Sequence, residues 1–115
     1  MSGERMRRVD EAMREVLSDA ITLNLKDPRI GFVTVTAVDT TPDLRRARVY
    51  VSVLDPDAQR KLTMAGLSSA HGFLQKLVAR ELRLKNTPTL EFVYDDTAER
   101  AQRVSRLLER EEEER

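Results

Sequence analysis

The sequence predicts a single α+β domain in which helices cover one face of a three-stranded sheet. Residues 32–39 and 45–54 alternate apolar with polar side chains, which predicts two strands. The turn cluster at residues 40–43, Thr-Thr-Pro-Asp, predicts that these strands form an antiparallel hairpin. Steps of three and four between apolar residues predict four helices. The predicted order is helix, strand, strand, helix, helix, strand, helix.

The first helix is predicted over residues 5–24, and its apolar face is Met6, Val9, Met13, Val16, Leu17, Ala20 and Ile21. Pro28 ends it, because proline cannot continue the hydrogen-bond ladder and disfavours the α conformation of the preceding residue. In the two strands of the hairpin, the apolar residues predicted to share one side are Val33, Val35 and Ala37, then Ala47, Val49, Val51 and Val53.

A pair of helices is predicted after the hairpin. Asp55 can cap a helix and Pro56 suits its first position, so this helix begins there and reaches Ser68 or Ser69. Poor helix formers at residues 68–72 predict a break. The next helix, which residues 86–88 end, is expected to bury Phe73, Leu74, Leu77, Val78 and Leu82.

The last two elements are a third strand at residues 90–94 and a helix that begins near Asp96. Glu99 lies three residues after Asp96, the spacing of a capping box. The helix fades into the glutamates at residues 111–114. We therefore expect a folded domain over residues 1–108 and a disordered acidic tail over residues 109–115.

Composition excludes several classes of protein and of site. The 115 residues are enough for one ordinary domain, and without cysteine there is neither a disulfide nor a thiolate metal site. No apolar stretch approaches the roughly 18 residues of a spanning helix, and residues 1–8 lack the apolar core of a signal peptide. We expect a soluble, cytoplasmic protein. The net charge is zero, but residues 61–90 carry a net charge of +4 and residues 91–115 one of −4.

Catalytic equipment is not evident. His71 is the only histidine, and the four glycines form no phosphate-binding loop. Asp95 and Asp96 could hold Mg²⁺ or act as an acid–base pair, but a turn with a helix cap explains them more simply. We therefore expect no enzyme activity, no cofactor, no metal and no small-molecule substrate.

A stripe of cations on the helix after the break is the strongest indication of nucleic-acid binding. Gly72, Lys76, Arg80 and Arg83 fall between about 200° and 280° around that helix when Ala70 is taken as zero. Such a stripe suits a phosphate backbone, although a solvated helix face would look the same. Gly72 itself could be an ordinary helical residue, a point of close approach to RNA, or a residue with positive φ.

Other basic groups give weaker indications. Arg46 and Arg48 share the outer side of the second strand with Tyr50, as in an RNA platform or in an edge strand guarded by charge. On the last helix, Arg103, Arg106 and Arg110 align, but Glu99 and the following acids predict a solvated face.

Several motifs together resemble the ribosome-binding factor A family, over about residues 5–108. They are Arg-Val at 8–9, Lys-Asp-Pro-Arg-Ile-Gly at 26–31, Asp-Leu at 43–44, Ala-Arg-Val-Tyr-Val-Ser-Val-Leu at 47–54, Ala-His-Gly-Phe-Leu at 70–74, Leu-Arg-Leu at 82–84, Pro88, Leu-Glu-Phe at 90–92 and Tyr-Asp at 94–95. Two positions depart from the family pattern, where many members have arginine in place of Gln75 and of Lys85.

The resemblance implies a fold similar to a type II KH domain, α-β-β-α-kink-α-β plus a C-terminal helix. It also implies a factor that binds the free small (30S) ribosomal subunit and its 16S rRNA and supports late maturation and rRNA processing, especially in the cold. We expect a monomer. Ala70, His71 and Gly72 match the family's Ala-x-Gly element, which lies at the helix kink where other KH domains carry a GxxG phosphate clamp.

The candidate RNA-binding residues follow from the stripe and the resemblance together. The primary set is Lys76, Arg80 and Arg83 for phosphate contact, with Ala70, His71 and Gly72 at the kink. The secondary set is Arg29, Arg45, Arg46 and Arg7. Two other functions stay open: a KH-type RNA binder without ribosomal specificity, and a protein–protein adaptor that uses the sheet edge and the acidic tail.

Overall fold

The computed structural model describes residues 3–114 and has the predicted order of elements. Four helices and three strands follow one another as α1 (Gly3–Leu23), β1 (Val33–Thr40), β2 (Arg46–Val53), α2 (Pro56–Ser69), α3 (His71–Leu82), β3 (Thr89–Tyr94) and α4 (Thr97–Glu113). The α+β prediction is confirmed. None of these helices is long and apolar enough to cross a membrane.

The sheet has the strand order β1-β2-β3. β1 and β2 form the predicted antiparallel hairpin, whereas β3 pairs in parallel with β2, from Arg46↔Thr89 to Val51↔Tyr94. A parallel neighbour requires a crossover connection, and the α2–α3 pair supplies it. The sheet therefore presents one face to the helices and the other to solvent.

A β-bulge in β1 changes which of its residues are buried. The register with β2 shifts between Val35 and Ala37, so that Val35 and Val38 are buried and Ala37 is exposed. The prediction that Ala37 shares a side with Val33 and Val35 is wrong, because one extra residue reverses the alternation beyond it.

The core lies between the sheet and helices α1, α2 and α3. Its buried apolar side chains are Met13, Leu17, Ala20, Ile21, Val35, Val38, Ala47, Val49, Val51, Leu67, Leu74, Val78 and Leu90. Leu74 and Val78 fill the inward positions of α3, whereas Phe73 is 48% exposed. The prediction that Phe73 points inward is therefore wrong, and the exposed ring becomes part of the α3 surface.

One residue separates α2 from α3. Asp55 caps α2 as predicted, since its Oδ1 accepts a hydrogen bond from the backbone N–H of Ala58 at 3.4 Å. Ala70 then leaves the helical conformation, with φ −85° and ψ 1°. Its N–H still donates to Gly66 O, and its own carbonyl accepts from Leu74 N, both at 3.0 Å. The predicted break between the two helices is confirmed, and it is one residue long.

Gly66 packs α2 tightly against the loop between α1 and β1. A Cβ placed there would lie 2.6 Å from Cγ1 of Ile30 in the α1–β1 loop. Real Cβ atoms do not approach this closely, so only glycine allows α2 to lie against that loop.

The start of α4 is capped differently from the prediction. Oδ1 of Asp95, and not Asp96, accepts the backbone N–H of Thr97 at 3.0 Å. Glu99 accepts a hydrogen bond from the Tyr94 hydroxyl instead of completing a capping box. The predicted capping box is therefore wrong, because Tyr94 competes for Glu99.

Helix α4 continues to Glu113 and leaves the body of the domain. Every residue from 101 to 114 is exposed. The helix runs through residues 109–113, for which the sequence predicts a tail, so the backbone shows no boundary at 108. The division into a domain and an acidic tail stays a prediction.

Candidate nucleic-acid interface

The outer side of α3 presents two cations and an aromatic ring. Phe73, Lys76 and Arg80 are three and four residues apart, so they lie on one side of the helix. Lys76 is exposed and has neither a hydrogen bond nor an ion pair with the rest of residues 3–114. The Arg80 side chain is 74% exposed and lies 3.5 Å from Oε1 of Glu81. A pair this exposed contributes little, so both cations are available to a ligand.

Arg83 lies past the end of α3. The helix stops at Leu82, and Arg83 adopts the left-handed conformation, with φ 49° and ψ 41°. The prediction that Arg83 belongs to the stripe with Lys76 and Arg80 is therefore wrong, because it assumed that the helix continues through Arg83. Arg83 is exposed, but it does not share the helical face that carries Lys76 and Arg80, since α3 has ended before it.

Gly72 is an ordinary helical glycine, and a side chain at this position would have free space. None of the glycines in residues 3–114 has a positive φ, which rules out that reading of Gly72. A Cβ at this position would meet no atom within 4 Å. The surface beside Gly72 is thus open, as a close approach of RNA would require.

His71 joins the beginning of α3 to the edge strand β3. Its Nε2 lies 2.9 Å from the backbone oxygen of Leu90, so the tautomer with a proton on Nε2 donates to that carbonyl. The ring also makes an edge-to-face contact with Phe92, with centroids 6.5 Å apart. The half-buried His71 therefore positions the junction.

Gln75 makes a second, stronger connection to the same strand. Its Nε2 donates to Pro88 O at 2.6 Å, and its Oε1 accepts from Leu90 N at 3.0 Å. Sequence reasoning treated Gln75 only as a departure from a family pattern and missed this role. No sequence signal pointed to it, because Gln75 and Leu90 meet only through the tertiary fold.

The secondary candidates Arg45, Arg46 and Arg7 lie near the end of the sheet where the hairpin turns and β3 begins. Thr89 N donates to Arg45 O at 2.8 Å, which places the hairpin turn beside the start of β3. Asp10 Oδ1 accepts from Thr40 N at 3.0 Å, which brings the first turns of α1 to that hairpin. Arg7, one helical turn before Asp10, is exposed, as are both hairpin arginines.

Arg29 is held in the α1–β1 loop by contacts with Asp27 and α2. Its guanidinium forms an ion pair with Asp27, with Nη2 2.6 Å from Oδ2. The hydrogen bond from Arg29 lowers the pKa of Asp27. The backbone oxygen of Arg29 accepts from the Thr63 hydroxyl at 3.5 Å. These contacts fasten the α1–β1 loop to α2, so Arg29 is the secondary candidate least suited to a phosphate.

A cavity of about 780 Å³ lies between the start of α2 and α4. Arg103 and Arg106 line it together with Arg60, whose guanidinium carbon lies 4.2 Å from the centre of the Tyr94 ring. Burial, and then the hydrogen bond to Glu99, raise the pKa of Tyr94 to about 12. Tyr94 therefore stays protonated as a donor. No group of three histidine, aspartate or glutamate residues in the described part of the chain could hold a metal ion.

Comparisons with known proteins agree on one family. Residues 5–108 match the sequence profile of the family described as ribosome-binding factor A. A ribosome-binding factor A from Anaeromyxobacter sp. (strain K) is 53% identical over 105 residues, which cover 90% of this chain and 76% of the relative.

Solved structures show the same likeness. The crystal structure of ribosome-binding factor A from Thermus thermophilus superposes with a TM-score of 0.70 at 28% identity, over 77% of this chain and 93% of that one. A homology model of the Thermus thermophilus factor, fitted into a cryo-electron-microscopy map of a 30S complex, gives a TM-score of 0.64 at 29% identity, over 75% and 90% of the two chains. The chain belongs to the ribosome-binding factor A family.

Proposed function

We propose that this chain is a non-enzymatic assembly factor that binds the free 30S subunit and contacts its 16S rRNA through α3. The observation that carries the proposal is the exposed pair Lys76 and Arg80 on one side of a helix that is firmly held to β3. The fit of the Thermus thermophilus relative into a 30S complex supports the small subunit as the partner.

Phosphate contact is the chemistry that this surface supports. Lys76 offers a compact charge, and Arg80 offers a planar fork that can hold two phosphate oxygens. Arg45, Arg46 and Arg7 extend the cationic surface towards the hairpin, whereas His71 and Gln75 act as positioning residues. We infer that Gly72 lets the RNA backbone approach the helix junction.

The finer roles rest on family membership. In this proposal the factor acts as a cytoplasmic monomer late in 30S maturation, supports 16S rRNA processing, and is needed most at low temperature. Cells without the protein should accumulate unprocessed 16S rRNA, and more of it in the cold. Equal processing with and without the protein would contradict this role.

A sucrose gradient of cell extract tests the main proposal. The tagged protein should sediment with free small subunits and be absent from translating ribosomes. A variant with Lys76→Ala and Arg80→Ala should remain nearer the top of the gradient. Sedimentation with intact ribosomes, or with no ribosomal particle, would contradict the proposal.

A protein–protein adaptor is the second candidate, and α4 is the observation that favours it. Val104, Leu107 and Leu108 are each more than half exposed on this helix. Exposed apolar side chains on one helix can serve as a docking surface. Loss of subunit binding on replacement of all three by serine, with α3 intact, would favour the adaptor.

A further inference from the structure

We propose that Phe73 stacks on an unpaired base of the RNA whose phosphates Lys76 and Arg80 hold, so that α3 takes a single-stranded segment and not a duplex. This inference rests on the proposed function and deepens it by naming the class of RNA. Its evidence is the exposure of the ring, the charge around it and the rigidity of the helix that carries it.

The exposed part of the Phe73 ring does not contribute to the core. Leu74 and Val78 already fill the inward positions of α3, and both are fully buried. The ring of Phe73 remains 48% exposed beside them. Single exposed apolar side chains are ordinary, so what distinguishes Phe73 is that two exposed cations share its side of α3.

The charge around the ring favours RNA over a protein partner. Lys76 lies one helical turn beyond Phe73, and Arg80 lies about two turns beyond it. An aromatic ring bordered by cations matches single-stranded nucleic acid, in which a base offers a π-face and the backbone offers phosphates. The two cations are about 6 Å apart along the helix axis, which lets them follow one strand.

The ring is carried by a helix that is fixed in place. His71 and Gln75, on either side of Phe73, both hydrogen-bond to β3. A stacking surface that is already ordered loses little conformational entropy on binding. The open space beside Gly72 gives the strand access to the ring from the helix start.

A duplex would not use this arrangement. In A-form RNA the bases are stacked on one another within the helix, so a side chain can stack only on a base that is unpaired. The phosphate contacts of Lys76 and Arg80 serve either form, whereas Phe73 selects the single strand. The three side chains therefore make separable contributions to the strength, the salt dependence and the strand preference of binding.

Fluorescence anisotropy with an oligoadenylate single strand and with an oligoadenylate–oligouridylate duplex separates these contributions. Phe73→Leu should weaken single-strand binding by about tenfold, leave duplex binding unchanged and leave the salt slope unchanged. Phe73→Trp should keep or increase single-strand affinity. Phe32→Leu is the matched control, since Phe32 is 83% exposed in the loop before β1, and it should bind like the unmodified protein.

The outcomes distinguish this inference from the function on which it rests. Unchanged single-strand binding in Phe73→Leu, with a flatter salt slope in Lys76→Ala/Arg80→Ala, would overturn stacking and leave the proposed function standing. Equal weakening on single strand and duplex would also overturn it. Weaker binding to the whole subunit, without any change on free RNA, would assign Phe73 to a ribosomal protein and overturn the inference. Unchanged subunit binding in the double variant would instead contradict the proposed function.

Discussion

The side-chain oxygen of Gln75 accepts a hydrogen bond at 3.0 Å from the backbone N–H of Leu90 in β3. The nitrogen of the same amide donates to Pro88 O, so one side chain satisfies a donor and an acceptor on this strand edge. An exposed strand edge is a site of unwanted pairing, and a helix that covers the edge removes it. The same contacts fix the helix that carries Phe73, Lys76 and Arg80.

Gln75→Ala should destabilise the protein by about 1–3 kcal/mol, because it leaves two partly buried backbone groups unpaired. Lys76→Ala, on the next residue and exposed to solvent, is the matched control and should change stability by less than about 0.5 kcal/mol. Urea unfolding measures both. Equal stability of the two variants would show that the amide contacts are unimportant.

Gly66→Ala and Gly72→Ala should change stability in opposite directions. The new methyl at Gly66 would meet Ile30 at 2.6 Å, so the variant should lose about 1–3 kcal/mol. At Gly72 the methyl has free space and helical dihedrals, so the variant should gain up to about 1 kcal/mol. The melting temperatures of the two variants, compared with that of the unmodified protein, test both predictions. A destabilised Gly72→Ala variant would contradict the geometry described for the junction.

Gly72→Ala should also bind the 30S subunit more weakly, despite its higher stability. The added methyl would occupy the open surface that we assign to the RNA backbone. Subunit affinity at fixed salt is the measurement. Unaltered affinity would remove close approach at Gly72 from the mechanism and leave the family assignment untouched.

Stability should fall in acid partly through Asp95. Hydrogen bonds from the hydroxyl of Thr97 and then from that of Thr36 lower the pKa of Asp95 below its ordinary 3.8. A depressed folded-state pKa stabilises the fold above the unfolded value, and this stabilisation is lost as the pH falls through the folded one. The difference in unfolding free energy between pH 7 and pH 3 should therefore shrink in Asp95→Asn. If the free-energy difference between the two pH values is the same in Asp95→Asn as in the unmodified protein, Asp95 does not contribute to the acid sensitivity.

Much of the fold could be predicted because it depends on local patterns. The periodicity of apolar residues predicts every element in order, and Asp55-Pro56 predicts the start of α2 within the sequence itself. The bulge that exposes Ala37 depends on the pairing of β1 with β2, so the pattern of β1 alone missed it. The left-handed conformation of Arg83 and the hydrogen bond from Tyr94 to Glu99 depend on the residue at which α3 ends and α4 begins, which apolar periodicity does not fix. In the candidate site, the shared exposed side of Lys76 and Arg80 could be predicted, whereas the amide contacts of Gln75 and the exposure of Phe73 could not.

Deletion of residues 109–115 should leave both stability and subunit binding intact. Residues 109–114 lie at the exposed end of α4, and removal of residues 109–115 takes away a net charge of −3. Less repulsion from rRNA should make association slightly faster at low salt. Stopped-flow binding and thermal melting test this. A large loss of affinity would favour the adaptor function.

The salt dependence of 30S binding tests the central claim most directly. The logarithm of affinity against the logarithm of salt concentration should have a slope of roughly −2 to −4 for three to five phosphate contacts. Lys76→Ala/Arg80→Ala should flatten this slope by about one to two units. Arg103→Ala/Arg106→Ala, which removes the same charge from α4, should leave it nearly unchanged. An unchanged slope in the α3 variant, or equal flattening in both, would contradict the assignment of the rRNA contact to α3.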